Sequence, residues 1–328
     1  MHVLIFGAAG MIGRKLSQRL ARDGRLGSRQ ITQLMLHDVV QPEIPEKAPM
    51  PVETAASDFS TVGAAARLVA ARPDVIFCLA SIVSGEAEEN FDKGYRINLD
   101  GTRLLLDAIR AIGDGYKPRL VFSSSIAVFG APFPDAIHDE FFNTPLTSYG
   151  TQKAICELLI ADYTRKGFLD GVGIRLPTIC VRPGKPNKAA SGFFSNIIRE
   201  PLSGQDAVLP VSEDVTHWHA SPRSAVDFLI HAGAIDSAAL GSRRNLSMPG
   251  LSATVGEQIA ALTKVAGPKV ASRIRREADP AIISIVSGWP RNFDTRRAQA
   301  LGFRAAENTF EDIVRIHIDD ELGGTFVP

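Results

Sequence analysis

A glycine pattern in the opening residues constrains the fold more than any other feature of the chain. Gly7-Ala8-Ala9-Gly10-Met11-Ile12-Gly13 directly follows the strand-like run His2–Gly7. It opens a stretch, Met11–Asp23, in which Met11, Ile12, Leu16 and Leu20 recur at helical spacing. At a strand-to-helix turn each glycine has its own task. The first lets the chain reverse sharply, the second lets backbone approach a bound pyrophosphate, and the third lets the helix pack close to the strand. The free N–H groups of the helix N-terminus then attract an anion. Gly7, Gly10, Met11, Ile12 and Gly13 are therefore expected to hold a dinucleotide.

The order of elements agrees with that turn. After the first strand and helix come Gln33–Val39 (strand), Thr61–Arg72 (helix), Asp74–Ala80 (strand) and Tyr95–Ile112 (long helix). Arg119–Ser123 (strand), Ser148–Arg165 (helix) and Gly171–Leu176 (strand) complete the regular half. Short apolar runs alternating with amphipathic stretches predict βαβ units and an α/β fold. The expectation is a doubly wound parallel sheet with a smaller C-terminal substrate-binding lobe. Residues 1–180 form the nucleotide-binding part, re-entered around 215–240, and 181–328 form most of the second lobe. In that half only Ala253–Ala266 and Glu307–Asp319 read as clear helices, and Pro183–Pro210 is rich in Gly, Pro, Lys and Asn.

Composition excludes several classes. Basic and acidic residues balance at 36 each, so no field draws the chain to nucleic acid or an anionic membrane. No window reaches the roughly 18–20 apolar residues of a membrane span. Cys78, Cys156 and Cys180 are widely separated and lack metal-ligand spacing, as expected of reduced thiols in the cytoplasm. No metal site is expected.

Asp38 ends the second long strand, where a carboxylate accepts from ribose hydroxyls and repels a 2′-phosphate. This favours NAD over NADP, although Arg14 and Lys15 lie nearby. Asp58 stands either at the adenine edge or at a helix N-cap.

Three further features converge on proton chemistry. Ser123-Ser124-Ser125 ends an apolar strand, and Tyr149-Gly150-Thr151-Gln152-Lys153 opens a helix. The spacing of Tyr149 and Lys153 puts both on one helix face. A lone tyrosine, with a pKa of about 10, is a poor base at neutral pH. An adjacent ammonium favours the phenolate, which makes the pair a base for a substrate hydroxyl.

The glycine pattern, the serine strand end and Tyr-x-x-x-Lys together resemble the extended short-chain dehydrogenases, the superfamily of nucleotide-sugar epimerases and dehydratases with a Rossmann-type fold. The resemblance spans most of the chain and is strongest over residues 1–184. It implies that Ser125, Tyr149 and Lys153 are catalytic, with Lys153 also binding ribose. It further implies that Leu79-Ala80-Ser81, Asn98, Ser123 and Pro177 line the cofactor site. Arg175-Leu-Pro177 and Val181-Arg-Pro-Gly184 match the segment beside the nicotinamide. The superfamily also implies a homodimer through the long helices at 95–112 and 148–165.

Substrate is decided in the second half. The Arg-Asp pair that nucleotide-sugar enzymes carry after the substrate loop is absent from Thr216-His-Trp-His-Ala-Ser-Pro-Arg-Ser-Ala-Val-Asp227. The stretches 184–194 and 218–222 are similar to a branch that oxidises a small sugar acid at C2. Ser81, Ser125, Tyr149, Lys185, Asn187, Ser191 and His219 are the expected substrate contacts, with Lys188 and Arg223 as further donors. His217 and His219 stand at strand spacing without a third metal ligand. Two alternatives remain open: a nucleotide-sugar epimerase or dehydratase that keeps its NAD, and a non-catalytic NAD-binding sensor.

Overall fold

The computed structural model describes residues 1–184 and 190–328. The strands used below are, in chain order, β1 (His2–Phe6), β2 (Gln33–Asp38), β3 (Val52–Ala56), β4 (Val75–Cys78) and β5 (Arg119–Ser125), then β6 (Asp170–Leu176), β7 (Thr178–Ile179), β8 (Thr216–Ala220), β9 (Asn245–Ser247) and β10 (Leu251–Thr254). The helices are α1 (Met11–Asp23), α2 (Ala64–Val69), α3 (Gly101–Ile112) and α4 (Ser148–Arg165), then α5 (Gly192–Leu202), α6 (Pro222–Ala234), α7 (Val255–Ala266) and α8 (Phe310–Glu321).

Seven strands form one sheet in the order β9-β6-β5-β4-β1-β2-β3. Every pairing in it is parallel. From β1 the chain moves to one side, then returns across to β4, which opens a crevice at the carboxyl ends of the strands. Alternation builds two cores. Val3 and Ile5 enter the layer of Leu16, Leu20, Phe228 and Leu229, from α1 and α6. Leu4 and Phe6 enter the layer of Leu105, Ile109, Cys156 and Ile160, from α3 and α4. With both faces covered, strands read as unbroken apolar runs.

A third core gathers Cys180, Phe194, Ile198, Leu262, Ile313 and Val314 around α5, α7 and α8. A small sheet, β10-β8-β7, stands at its border. After β8 the chain returns to the main sheet through α6 and β9. Among the described residues no helix is long and apolar enough to cross a membrane.

Two helices differ from expectation. The one expected over Thr61–Arg72 is only Ala64–Val69, because Gly63 (φ 81°) and Arg72 (φ 51°) take left-handed backbone at either side. The long helix over Tyr95–Ile112 begins as a π-helical turn, Tyr95–Asp100, before α3. Such turns recur at functional sites.

Candidate active site

Strand register brings the singled-out residues to one edge. Phe6 pairs with both His37 and Cys78, Cys78 pairs with Phe122, and Ser125 pairs with Leu176. The residues that follow, Gly7, Asp38, Leu79 and Pro177, therefore leave the sheet side by side.

The glycine loop is shaped by two different demands. Gly7 has φ 87°, and a Cβ there would lie 2.6 Å from the Ala80 nitrogen. A Cβ on Gly13 would lie 2.0 Å from the Gly7 carbonyl oxygen. Both glycines are required by the protein's own packing. Gly10 is different: it is exposed, and a Cβ there would meet only the Gly7 oxygen, at 3.4 Å. Its bareness suits a ligand rather than the fold. Gly10 is also the N-cap of α1 and makes no side-chain capping bond. The helix end is left for an anion.

Asp38 braces this loop. Its Oδ2 accepts from the Ala9 N–H at 2.9 Å and its Oδ1 from the Val39 N–H at 2.6 Å. Among the described residues it has no cationic partner, and a carboxylate has lone pairs to spare for two ribose hydroxyls. The residues present thus fit NAD. Asp58 is engaged otherwise: Oδ1 accepts from the N–H and hydroxyl of Ser60, and Oδ2 pairs with Arg96 at 2.5 Å. Burial is the largest single influence on its carboxyl and raises it, but these bonds and the Arg96 charge together outweigh burial and hold it below the usual range.

Ser125 Oγ accepts from the Ala127 N–H at 3.1 Å, so its own proton is free to donate elsewhere. The α4 N-cap Thr147 accepts from the Gly150 N–H. A side chain on Gly150 would strike the Ala127 carbonyl oxygen at 2.1 Å. Glycine between Tyr149 and Thr151 therefore lets the first turn of α4 lie directly against the Ser125 segment. Lys153 is buried, 2% exposed, and donates to the Ser123 carbonyl oxygen at 2.8 Å. Its ammonium stands 5.6 Å from the centre of the Tyr149 ring and 4.7 Å from that of Phe122. Ser125, Tyr149 and Lys153 thus converge. Ser123 Oγ meanwhile donates to the Cys78 carbonyl.

Asn98, in the π-turn, accepts from Ser81 Oγ and the Ile82 N–H and donates to Gln152 Oε1. It ties the loop after β4 to α4 through the residue next to Lys153. Ser191, another expected contact, receives a hydrogen bond from Arg182. Lys185, Asn187 and Lys188 lie outside the described residues.

His219 requires a correction to its expected place. It is 0% exposed, its Nε2 faces Gln258 Nε2 at 3.0 Å, and its ring packs edge-on against Phe194 and Phe310. It faces the C-terminal core, because alternation along β8 turns it inward together with His217. His217 bonds Thr178 Oγ1 and stacks on Phe194. Burial pushes His217 down to about 3 and His219 well below the histidine range, so both rings are neutral. Arg223 pairs with Asp320 at the surface.

One residue without a part in the sequence reading anchors the site. Glu157, 0% exposed, accepts from Ser124 Oγ (2.6 Å), Asn143 Nδ2 (3.1 Å) and the Arg175 guanidinium (2.8 and 2.9 Å). It locks α4 to the ends of β5 and β6, beside Ser125. The available signal was an acid four residues after Lys153, on a helix face that must be buried.

A model of the NAD dependent epimerase/dehydratase family matches residues 3–231. The chain belongs to that family. D-erythronate dehydrogenase of Haemophilus influenzae is 42% identical over 322 residues, covering 98% of this chain and 100% of that protein. D-erythronate dehydrogenase of Cupriavidus necator is 43% identical over 324 residues, covering 98% of each. Among solved structures, a protein described as the nucleoside-diphosphate-sugar epimerase of Agrobacterium tumefaciens superposes with a TM-score of 0.96 at 65% identity, covering 99% of this chain and 95% of that one. With its family and these relatives, the chain is an NAD-dependent oxidoreductase acting on a small molecule.

Proposed function

We propose that this enzyme oxidises the C2 hydroxyl of a small sugar acid, D-erythronate or a near relative, to the 2-keto acid. The observation that carries the substrate is the end-to-end likeness to two D-erythronate dehydrogenases. Bound NAD⁺ supplies the two-electron acceptor. Ser125 donates its free proton to the reacting oxygen and orients it. Tyr149 takes the hydroxyl proton, and the Lys153 ammonium stabilises the phenolate that makes this possible. The Ser123 carbonyl occupies one Lys153 donor and leaves two for Tyr149 and ribose. Asp38 holds the adenosine ribose and disfavours a 2′-phosphate. The arrangement supplies positioning and a polarised proton path; the redox step belongs to the cofactor.

A second reading is favoured by one observation, the description of the Agrobacterium tumefaciens structure as a nucleoside-diphosphate-sugar epimerase. In that reaction the cofactor is regenerated within each turnover. Mass spectrometry of the product separates the readings. The first gives an acid lighter by two hydrogens; an epimerase gives a sugar nucleotide of unchanged mass. A chain that converts only sugar nucleotides would overturn the first reading.

The assembly is proposed to be a homodimer through α3 and α4, where Leu158 is 68% exposed. Sedimentation of the purified chain as a monomer at micromolar concentration would contradict it.

A further inference from the structure

Arginine side chains withdrawn from solvent need an anion or a set of carbonyls. Arg119, Arg175, Arg199, Arg244 and Arg297 all have a carboxylate within ion-pair distance. Arg273 donates to three backbone carbonyls. Arg182 is the exception. Among the described residues its guanidinium has a single hydrogen-bond partner, Ser191 Oγ at 2.6 Å, and no carboxylate. The sequence from Pro183 to Arg199 contains no acidic residue.

The backbone of Arg182 is held rigidly. Its N–H donates to Ser195 Oγ at 3.0 Å, and its carbonyl accepts from Arg199 Nη1 at 2.6 Å, both from α5. Ser191 is the N-cap residue of α5, yet it makes no side-chain capping bond. It serves the arginine instead. The guanidinium therefore sits at an uncapped helix N-terminus, where the backbone adds partial positive charge. His219, whose ring feels the Arg182 charge, is neutral and supplies no counter-charge. Burial disfavours the Arg182 charge, and the Arg199 cation adds to this. Charge on Tyr149 acts on it in the opposite sense, so the guanidinium lies within electrostatic reach of the candidate base.

We propose that Arg182, propped by Ser191 at the start of α5, is the binding residue for the substrate carboxylate. The inference rests on the sugar-acid reading and deepens it. In a 2-hydroxy acid the carboxylate is bonded to the reacting carbon. The chain reaches Arg182 shortly after Leu176, which pairs with Ser125, so a cation here is placed to take that carboxylate once the C2 hydroxyl meets the base. A guanidinium takes a carboxylate through two parallel bonds, which fixes orientation as well as charge. A neutral sugar ring undergoing epimerisation carries no charge beside its reacting hydroxyl and would leave Arg182 unpaired.

The test compares wild type, Arg182→Gln, Arg182→Lys and Ser191→Ala with D-erythronate and its neutral amide, D-erythronamide. Arg182→Gln should raise KM for the acid about a hundredfold, with kcat changed less. Its turnover of the amide and its NAD⁺ affinity should stay within about threefold of wild type. Arg182→Lys should fall between, and Ser191→Ala should show a smaller rise in KM. An unchanged KM for the acid in Arg182→Gln, while wild type turns it over, overturns the Arg182 assignment and leaves the sugar-acid reading standing. Equal losses on acid and amide also overturn it, since they mark a structural role. Wild type inactive on every acid overturns the reading and the assignment together.

Discussion

Arg175 and Arg182 belong to one stretch of chain but meet opposite surroundings. Arg175 is 4% exposed, clasped by Glu157 and stacked over the Phe129 ring at 4.7 Å. Among the described residues Arg182 has one serine hydroxyl as its hydrogen-bond partner and a neutral histidine nearby. The same side chain is framework in one place and receptor in the other. Asp38 repeats the second case with the sign reversed, since among the described residues it holds two backbone N–H groups and no cation. The contrast teaches that the floor beneath the candidate site is closed electrostatically, whereas the charges left open are the ones assigned to ligands.

Breaking the closed pair should have the largest effect. Glu157→Gln leaves the Arg175 charge buried without its partner, which costs about 3–5 kcal/mol of stability. Thermal denaturation should show a drop of many degrees, and activity should fall with it because Ser124 and α4 lose their common anchor. If Glu157→Gln and Arg182→Gln lowered the melting temperature equally, the distinction between framework and receptor would fail.

Opening the cofactor end should have a smaller effect. Asp38→Ser removes a charge-assisted contact to ribose, worth about 1.5–3 kcal/mol, and the repulsion of a 2′-phosphate. NAD⁺ affinity should fall by about tenfold or more and the preference over NADP⁺ should shrink. An unaltered cofactor preference would remove Asp38 from the ribose site.

A separate, pH-dependent effect is expected from acid. His217 is held neutral in the folded chain, down to about 3, whereas the free side chain titrates near pH 6.5. Between these values the unfolded chain binds the extra proton. The stability is complete above about pH 6.5 and is lost as pH falls toward 3, by about 1.4 kcal/mol per pH unit for each such histidine. His219 adds in the same direction. Denaturant titrations of His217→Gln between pH 7 and 5 should show a shallower loss than wild type; an identical slope would contradict the neutral, buried ring.

The same contrast explains what could be read without coordinates. The nucleotide-binding half announces itself locally. Buried parallel strands must be apolar, Gly7 and Gly13 must be bare for packing reasons, and Tyr149 and Lys153 share a helix face by spacing alone. The fold and the meeting of Tyr149 and Lys153 in the candidate site were legible for that reason. Burial and pairing across the fold were not. His219 looked available as a donor because nothing in Trp218-His-Ala-Ser-Pro222 shows which side faces the core. Glu157 passed as one acid among many until its partners on β5 and β6 were in place. Arg182 stood in plain view, but only the absence of a carboxylate around it among the described residues distinguishes it from Arg175. The strand β9, with three residues, was too short for any pattern.

The most direct test of the account follows NADH with purified enzyme, NAD⁺ and D-erythronate, beside Tyr149→Phe and a panel of uridine-diphosphate sugars. The account predicts stoichiometric NADH from the acid, loss of about a hundredfold or more in rate without the Tyr149 hydroxyl at unchanged NAD⁺ affinity, and no turnover of sugar nucleotides. Silence with every acid, together with conversion of a sugar nucleotide at no net NADH, would contradict it.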